Sequence, residues 1–99
     1  MYRNTAADQM QLALSAYASG DFAAAEKFCG AIIKRNSRHF EAFHLLGAAQ
    51  WALGKATAAL ASYDRALALC RDDVNVLTDR GLALQGLGRF DEALASYDR

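Results

Sequence analysis

The chain contains no proline, one tryptophan and only two cysteines among its 99 residues. Without proline, the strongest helix breaker is missing; each one inside a helix would cost about 3 kcal/mol. Cys29 and Cys70 have no second cysteine or histidine pair at metal-ligand spacing. Free thiols in a reducing cytoplasm are therefore expected. His39 and His44 are five apart and do not share a helical face, so no metal site is expected. Charge of one sign is also lacking, since 11 basic residues balance 11 acidic ones. No long-range field then draws a nucleic acid or an anionic membrane. No apolar run approaches the roughly 18 residues of a membrane helix. The opening Met1-Tyr2-Arg3-Asn4-Thr5 lacks the apolar core of a secretory signal. Paired carboxylates and a phosphate loop are absent, and Ser15, Ser62 and Ser96 have no histidine and acid arranged around them. The chain is expected to be no enzyme and to hold no cofactor.

Alanine is abundant and valine scarce, and no run alternates with a strand period. The sequence Ala59-Leu60-Ala61-Ser62-Tyr63-Asp64-Arg65 returns letter for letter as residues 93–99, at an offset of 34. Gly47, Leu53 and Gly54 return at the same offset as Gly81, Leu87 and Gly88, and 11 of the 26 comparable positions are identical. A fixed period of this length marks a solenoid, in which each repeat packs on its neighbours.

Apolar spacing and turn signals predict six helices, over 6–18, 22–34, 40–53, 56–69, 74–87 and 90–99. Thr5 and Asp8 suit a capping box, and Met1 to Asn4 should be frayed. Gly20, Gly54 and Gly88 are the stops between paired helices. The pairs divide the chain into hairpins 6–39, 40–73 and 74–99, the last cut short in its second helix. The inward stripe of the second helix is Phe22, Ala25, Phe28, Cys29, Ile32 and Ile33. Gly47 and Gly81 lie mid-helix, where glycine costs about 1 kcal/mol against alanine. A small residue there lets the helices of a hairpin cross closely.

These residues resemble the tetratricopeptide repeat. The middle unit supplies Phe43, Leu46-Gly47, Ala59, Tyr63 and Ala66, the third Leu77, Gly81, Ala93 and Tyr97, and the first Leu12-Ala13, Ala25 and Cys29. The resemblance implies an all-α, right-handed superhelical solenoid of antiparallel helix hairpins, about three units long. Ser37 and Arg71 replace the closing proline of the family pattern, Gln50 replaces an aromatic, and Arg80 stands where Leu46 stood. The head of Arg80 is expected to reach solvent, Asp64 or Asp98. The phrase from Asp79 to Leu84 is also similar to bacterial arrays that precede O-linked N-acetylglucosamine transferase-like domains.

In such a stack the first helix of each hairpin lines the concave side. Spacing then points Met10, Leu14 and Tyr17 into the groove, with His44, Ala48 and Trp51 in the second unit and Thr78, Leu82 and Gln85 in the third. Tyr17, Trp51 and Gln85 would form a row. The places where chaperone-tail adaptors of the family hold basic residues carry Met10, Leu14, Leu45, Asn75 and Asp79 here, so the groove reads as apolar to mildly acidic. The expected partner is a protein or peptide, with no nucleic acid and no membrane. Two alternatives stand beside it. Leu84, Leu87, Leu94 and Tyr97, left without a closing helix, could pair with a second copy as a homodimer. The chain could also be the N-terminal, substrate-recognising piece of a longer bacterial glycosyltransferase.

Overall fold

Four of the six helices start where a side chain accepts the orphan backbone amides of a first turn. At Thr5 a capping box forms: Oγ1 accepts from the Asp8 amide at 3.1 Å, and the Asp8 carboxylate accepts from the Thr5 amide at 3.2 Å. Asp21 caps at Ala24, 3.1 Å, and Asp73 at Val76, 3.0 Å. His39 does the same through Nδ1, which accepts from the Ala42 amide at 3.1 Å. The computed structural model describes residues 5–97. Its helices are α1 (Ala6–Ala18), α2 (Phe22–Arg35), α3 (Phe40–Ala52), α4 (Ala56–Leu69), α5 (Val74–Gly86) and α6 (Phe90–Tyr97). The expected fraying of Met1 to Asn4, an end of the last helix at Arg99, and Asp98 as a partner of Arg80 lie outside the described residues.

The three hairpin turns share one geometry. Gly20, Gly54 and Gly88 have φ of 85, 80 and 75°, the left-handed region glycine enters without a Cβ penalty. The next amide reaches back five residues in each case: Asp21 to Ala16, Lys55 to Gln50 and Arg89 to Leu84, all at 2.8 Å. The glycine amide bonds Tyr17, Trp51 or Gln85. This bond pair is the Schellman closure, repeated every 34 residues, and it gives every hairpin the same bend. The turns between hairpins also match without a proline: His39 donates to the Asn36 carbonyl and Asp73 to that of Cys70.

Helices adjacent in sequence pack together along the whole chain, and the body is elongated, 51 × 25 × 18 Å. Contacts one hairpin apart are one-sided. α1 meets α3 and α3 meets α5, whereas among the described residues α2 does not meet α4 and α4 does not meet α6. The first helices of the hairpins therefore crowd on the inner side of the curve and the second helices splay on the outer side. The fold is the right-handed solenoid of helix hairpins.

The main core joins Phe43, Ala59, Leu60, Tyr63, Ala66, Val76, Ala83, Leu84 and Ala93. A second cluster joins Met10, Ile32 and Ala42 where the first two hairpins meet. Of the predicted stripe on α2, Ala25, Cys29 and Ile32 are fully buried, while Phe22, Phe28 and Ile33 are half-buried. Gly47 and Gly81 do provide a close crossing, since a Cβ at either would overlap the ring of Tyr63 or Tyr97. Arg80 donates from Nε to Asp64 at 2.7 Å. Ser62 and Ser96 are both buried, yet they bond differently. Ser62 donates to Gln50 Oε1 at 2.6 Å; position 84 holds leucine in place of Gln50, so Ser96 donates to the Leu77 carbonyl at 2.9 Å.

One expectation about the open end is corrected. Leu84 is 0% exposed, because it turns into the α4–α5 core. The other three are uncovered: Leu87, the C-cap of α5, is 39% exposed, and on α6 Leu94 is 61% exposed against 7% for its repeat counterpart Leu60, and Tyr97 39% against 1% for Tyr63.

The two thiols differ in the same physical way. Cys29 is buried, and burial pushes its thiol up to about 12, whereas Cys70 is exposed. One thiol per folded chain is expected to react with a disulfide reagent near neutral pH, and two after denaturation. Cys70→Ser should abolish the native reaction; a folded variant that still reacts would place Cys29 at the surface.

Candidate functional site

The inner helices bring seven of the nine sequence-predicted groove residues to two cavities. The larger, about 240 Å³, is lined by Met10 and Leu14 of α1 and by Glu41, His44, Leu45 and Ala48 of α3. The smaller, about 70 Å³, is lined by Tyr17 of α1, Ala48 and Trp51 of α3, Tyr63 of α4, and Asp79 and Leu82 of α5. Ala48 belongs to both, so the two form one trough along the inner face. Its floor is partly core: Met10 is only 9% exposed and packs on Ile32 and Ala42. Leu14, Trp51 and Leu82 stand exposed.

Thr78 and Gln85 line neither cavity. The Thr78 hydroxyl turns back to the Val74 carbonyl at 2.8 Å, a bond within its own helix. Gln85 Oε1 accepts from the Tyr97 hydroxyl at 2.9 Å and so faces α6. Tyr17 and Trp51 share the smaller cavity, while Gln85 at the next register position joins the last hairpin.

Other side chains at the site escape a reading by position alone. His44 Nε2 and Asp79 Oδ2 lie 2.8 Å apart and link α3 to α5 across the trough. Tyr63, named from the sequence only as a residue of the repeat pattern, forms part of the smaller cavity's wall. Tyr17 is steadied by Phe22, ring centroids 5.2 Å apart and edge to face. The Trp51 indole rests on Gly86, where a Cβ would overlap the ring. The signal for that last contact was faint: unit two has Ala52 at the position where unit three has Gly86.

No lysine or arginine lines either cavity, and the carboxylates present are Glu41 and Asp79. Both volumes fall below the roughly 300–1,000 Å³ of small-molecule sites. They are the size of side chains. Among the described residues no group of three or more potential metal ligands gathers, and no helix is long and apolar enough to cross a membrane.

Solved structures of similar shape have the same architecture. MamA of MSR-1 superposes with a TM-score of 0.88 at 21% identity, over 95% of this chain and 54% of that one. The Yersinia enterocolitica type III secretion chaperone SycD, in complex with a peptide of the translocator YopD, gives 0.91 at 23%, over 96% and 72%. SycD in an alternative dimer gives 0.90 at 23%, over the same shares. The chain thus spans about half the length of MamA. A search of curated proteins finds no match. A profile described as "Tetratricopeptide repeat" matches residues 10–74, and a second of the same description matches 74–99. The chain belongs to the tetratricopeptide repeat family.

Proposed function

We propose that the chain is a protein-interaction scaffold that holds a peptide segment of a partner in its concave trough. The observation that carries this reading is the pair of side-chain-sized cavities running across α1, α3 and α5, with Leu14, Trp51 and Leu82 exposed along them. Apolar and aromatic side chains in such recesses are the usual anchors of a bound chain. The likeness to SycD, solved with a peptide of YopD, supports the same use of the fold here.

Trp51 is the only tryptophan, so its fluorescence reports on the trough alone. Peptides selected on the folded chain from a random dodecapeptide library are expected to shift that emission. Leu14→Glu and Leu82→Glu should each weaken them about tenfold, a loss of about 1.4 kcal/mol, with little change in melting temperature because both sites are exposed. Selected peptides that leave the emission unchanged, or that neither variant weakens, would sink the proposal.

A second reading is favoured by one observation, the uncovered α6 face of Leu94 and Tyr97. The alternative dimer described for SycD supports pairing of chains of this fold. Sedimentation equilibrium decides this reading. It predicts a dimer that Leu94→Glu returns to monomer, and a wild-type monomer at high concentration rules it out.

A further inference from the structure

We propose that the small cavity between Tyr17, Trp51, Tyr63 and Asp79 captures one cationic side chain, an ammonium or a guanidinium, of the segment bound in the trough; this rests on the groove reading above. The argument begins with a difference between two repeats. In the third unit the Tyr97 hydroxyl donates to Gln85 Oε1 at 2.9 Å. In the middle unit the residue corresponding to Gln85 is Trp51, whose indole nitrogen donates and cannot accept. The Tyr63 hydroxyl is left without a hydrogen-bond partner among the described residues, although Tyr63 is 1% exposed. The ring is buried but the oxygen itself is not sealed from solvent, so it is open to an incoming group. Besides burial, Asp79 and then Tyr17 push the Tyr63 hydroxyl up in pKa. Tyr63, Asp79 and Tyr17 all belong to the wall of the same cavity.

The charge is equally one-sided. Asp79 Oδ2 is held by His44 Nε2 at 2.8 Å, and Oδ1 meets no hydrogen-bonding group among the described residues. No cation of the chain lines the cavity. Arg80, next in sequence, is turned away to Asp64 at 2.7 Å. What remains is a carboxylate oxygen and an unused phenol oxygen, walled by three aromatic rings. Ring faces attract cations, and the attraction grows as water is excluded. Both oxygens can accept from an ammonium or a guanidinium, which carry donors and no acceptor. The volume of about 70 Å³ admits one end group and not a second residue.

The peptides selected on the wild-type chain provide the test. A lysine or arginine is expected at one fixed position among those that shift Trp51 emission. Replacing it with norleucine should weaken binding about tenfold, and Asp79→Asn should weaken the parent peptide similarly. Tyr63→Phe, which keeps the ring and its packing, should cost about threefold with the melting temperature preserved. Glu41→Gln, in the neighbouring cavity, should cost less than Asp79→Asn. Enrichment of lysine identifies an ammonium ligand and enrichment of arginine a guanidinium; either supports the proposal. Peptides that shift Trp51 but carry no fixed cation, or bind equally well as the norleucine form or to Asp79→Asn, overturn it while the groove reading stands. Failure of every selected peptide to shift Trp51 overturns both.

Discussion

Gly47→Ala is expected to destabilise the chain by about 2 kcal/mol, although alanine is the better helix former by about 1 kcal/mol. The reason is one ring. A Cβ at position 47 lands 2.6 Å from Tyr63 Cδ1 and nearer still to Cε1. Tyr63 is packed in the main core with Phe43, Leu60 and Leu84 and, at 1% exposure, cannot swing out into solvent. The crossing of α3 and α4 must open, and every contact across it loosens. Two other glycines separate this cause from helix propensity. Gly30 lies inside α2 with nothing within 4 Å of its missing Cβ, so Gly30→Ala should stabilise by about 0.5–1 kcal/mol. Gly81→Ala meets the Tyr97 ring, but that ring is partly in solvent and can swing aside, so the loss should be smaller than at Gly47. Thermal melts resolve these differences, at about 4–8 °C per kcal/mol for a chain of this size. Equal stability of Gly47→Ala and wild type would contradict the close crossing.

Leu84→Ala is expected to cost about 3 kcal/mol, from lost burial and the cavity left behind. It should also change the shape of the unfolding curve. Leu84 ties α5 to α4, and α6 is attached to the rest of the chain through α5. In a stack with nearest-neighbour coupling, weakening one interface frees the terminal unit first. Among the described residues the α5–α6 hairpin holds 21 of the 75 helical ones. Helical circular dichroism should therefore fall in an early step of that share, before α1–α4 melt, and amide exchange should accelerate over 74–97 alone. Loss of all six helices in one step would show that the hairpins are more tightly coupled than their contacts imply.

How much of this was legible depends on the distance over which each feature is decided. Thr5, Asp21 and Gly54 act within a few residues, so caps and turns could be read directly. Even there, His39 was hidden, because its imidazole caps a helix that its residue type does not announce. The crossing at Gly47 was legible because the repeat displayed it twice. Arg80 could be narrowed to solvent, Asp64 or Asp98, and it meets Asp64. Leu84 was misjudged because the helical face was assigned from the end of the array, whereas α4 covers it. His44 with Asp79 and Trp51 on Gly86 join residues 35 positions apart. Such pairs follow from how far α3 rotates against α5, a quantity no local spacing contains. The same rotation admits Trp51 to the trough and leaves Gln85 outside it.

The doubled pentapeptide Ala-Leu-Ala-Ser-Tyr has a practical corollary. On α4 its leucine and tyrosine are sealed by the next hairpin, and on α6 they face outward. An antibody raised against that peptide should bind the native chain once and the denatured chain twice. The ratio of the two signals then counts intact hairpin junctions, and it changes when anything settles on the final helix.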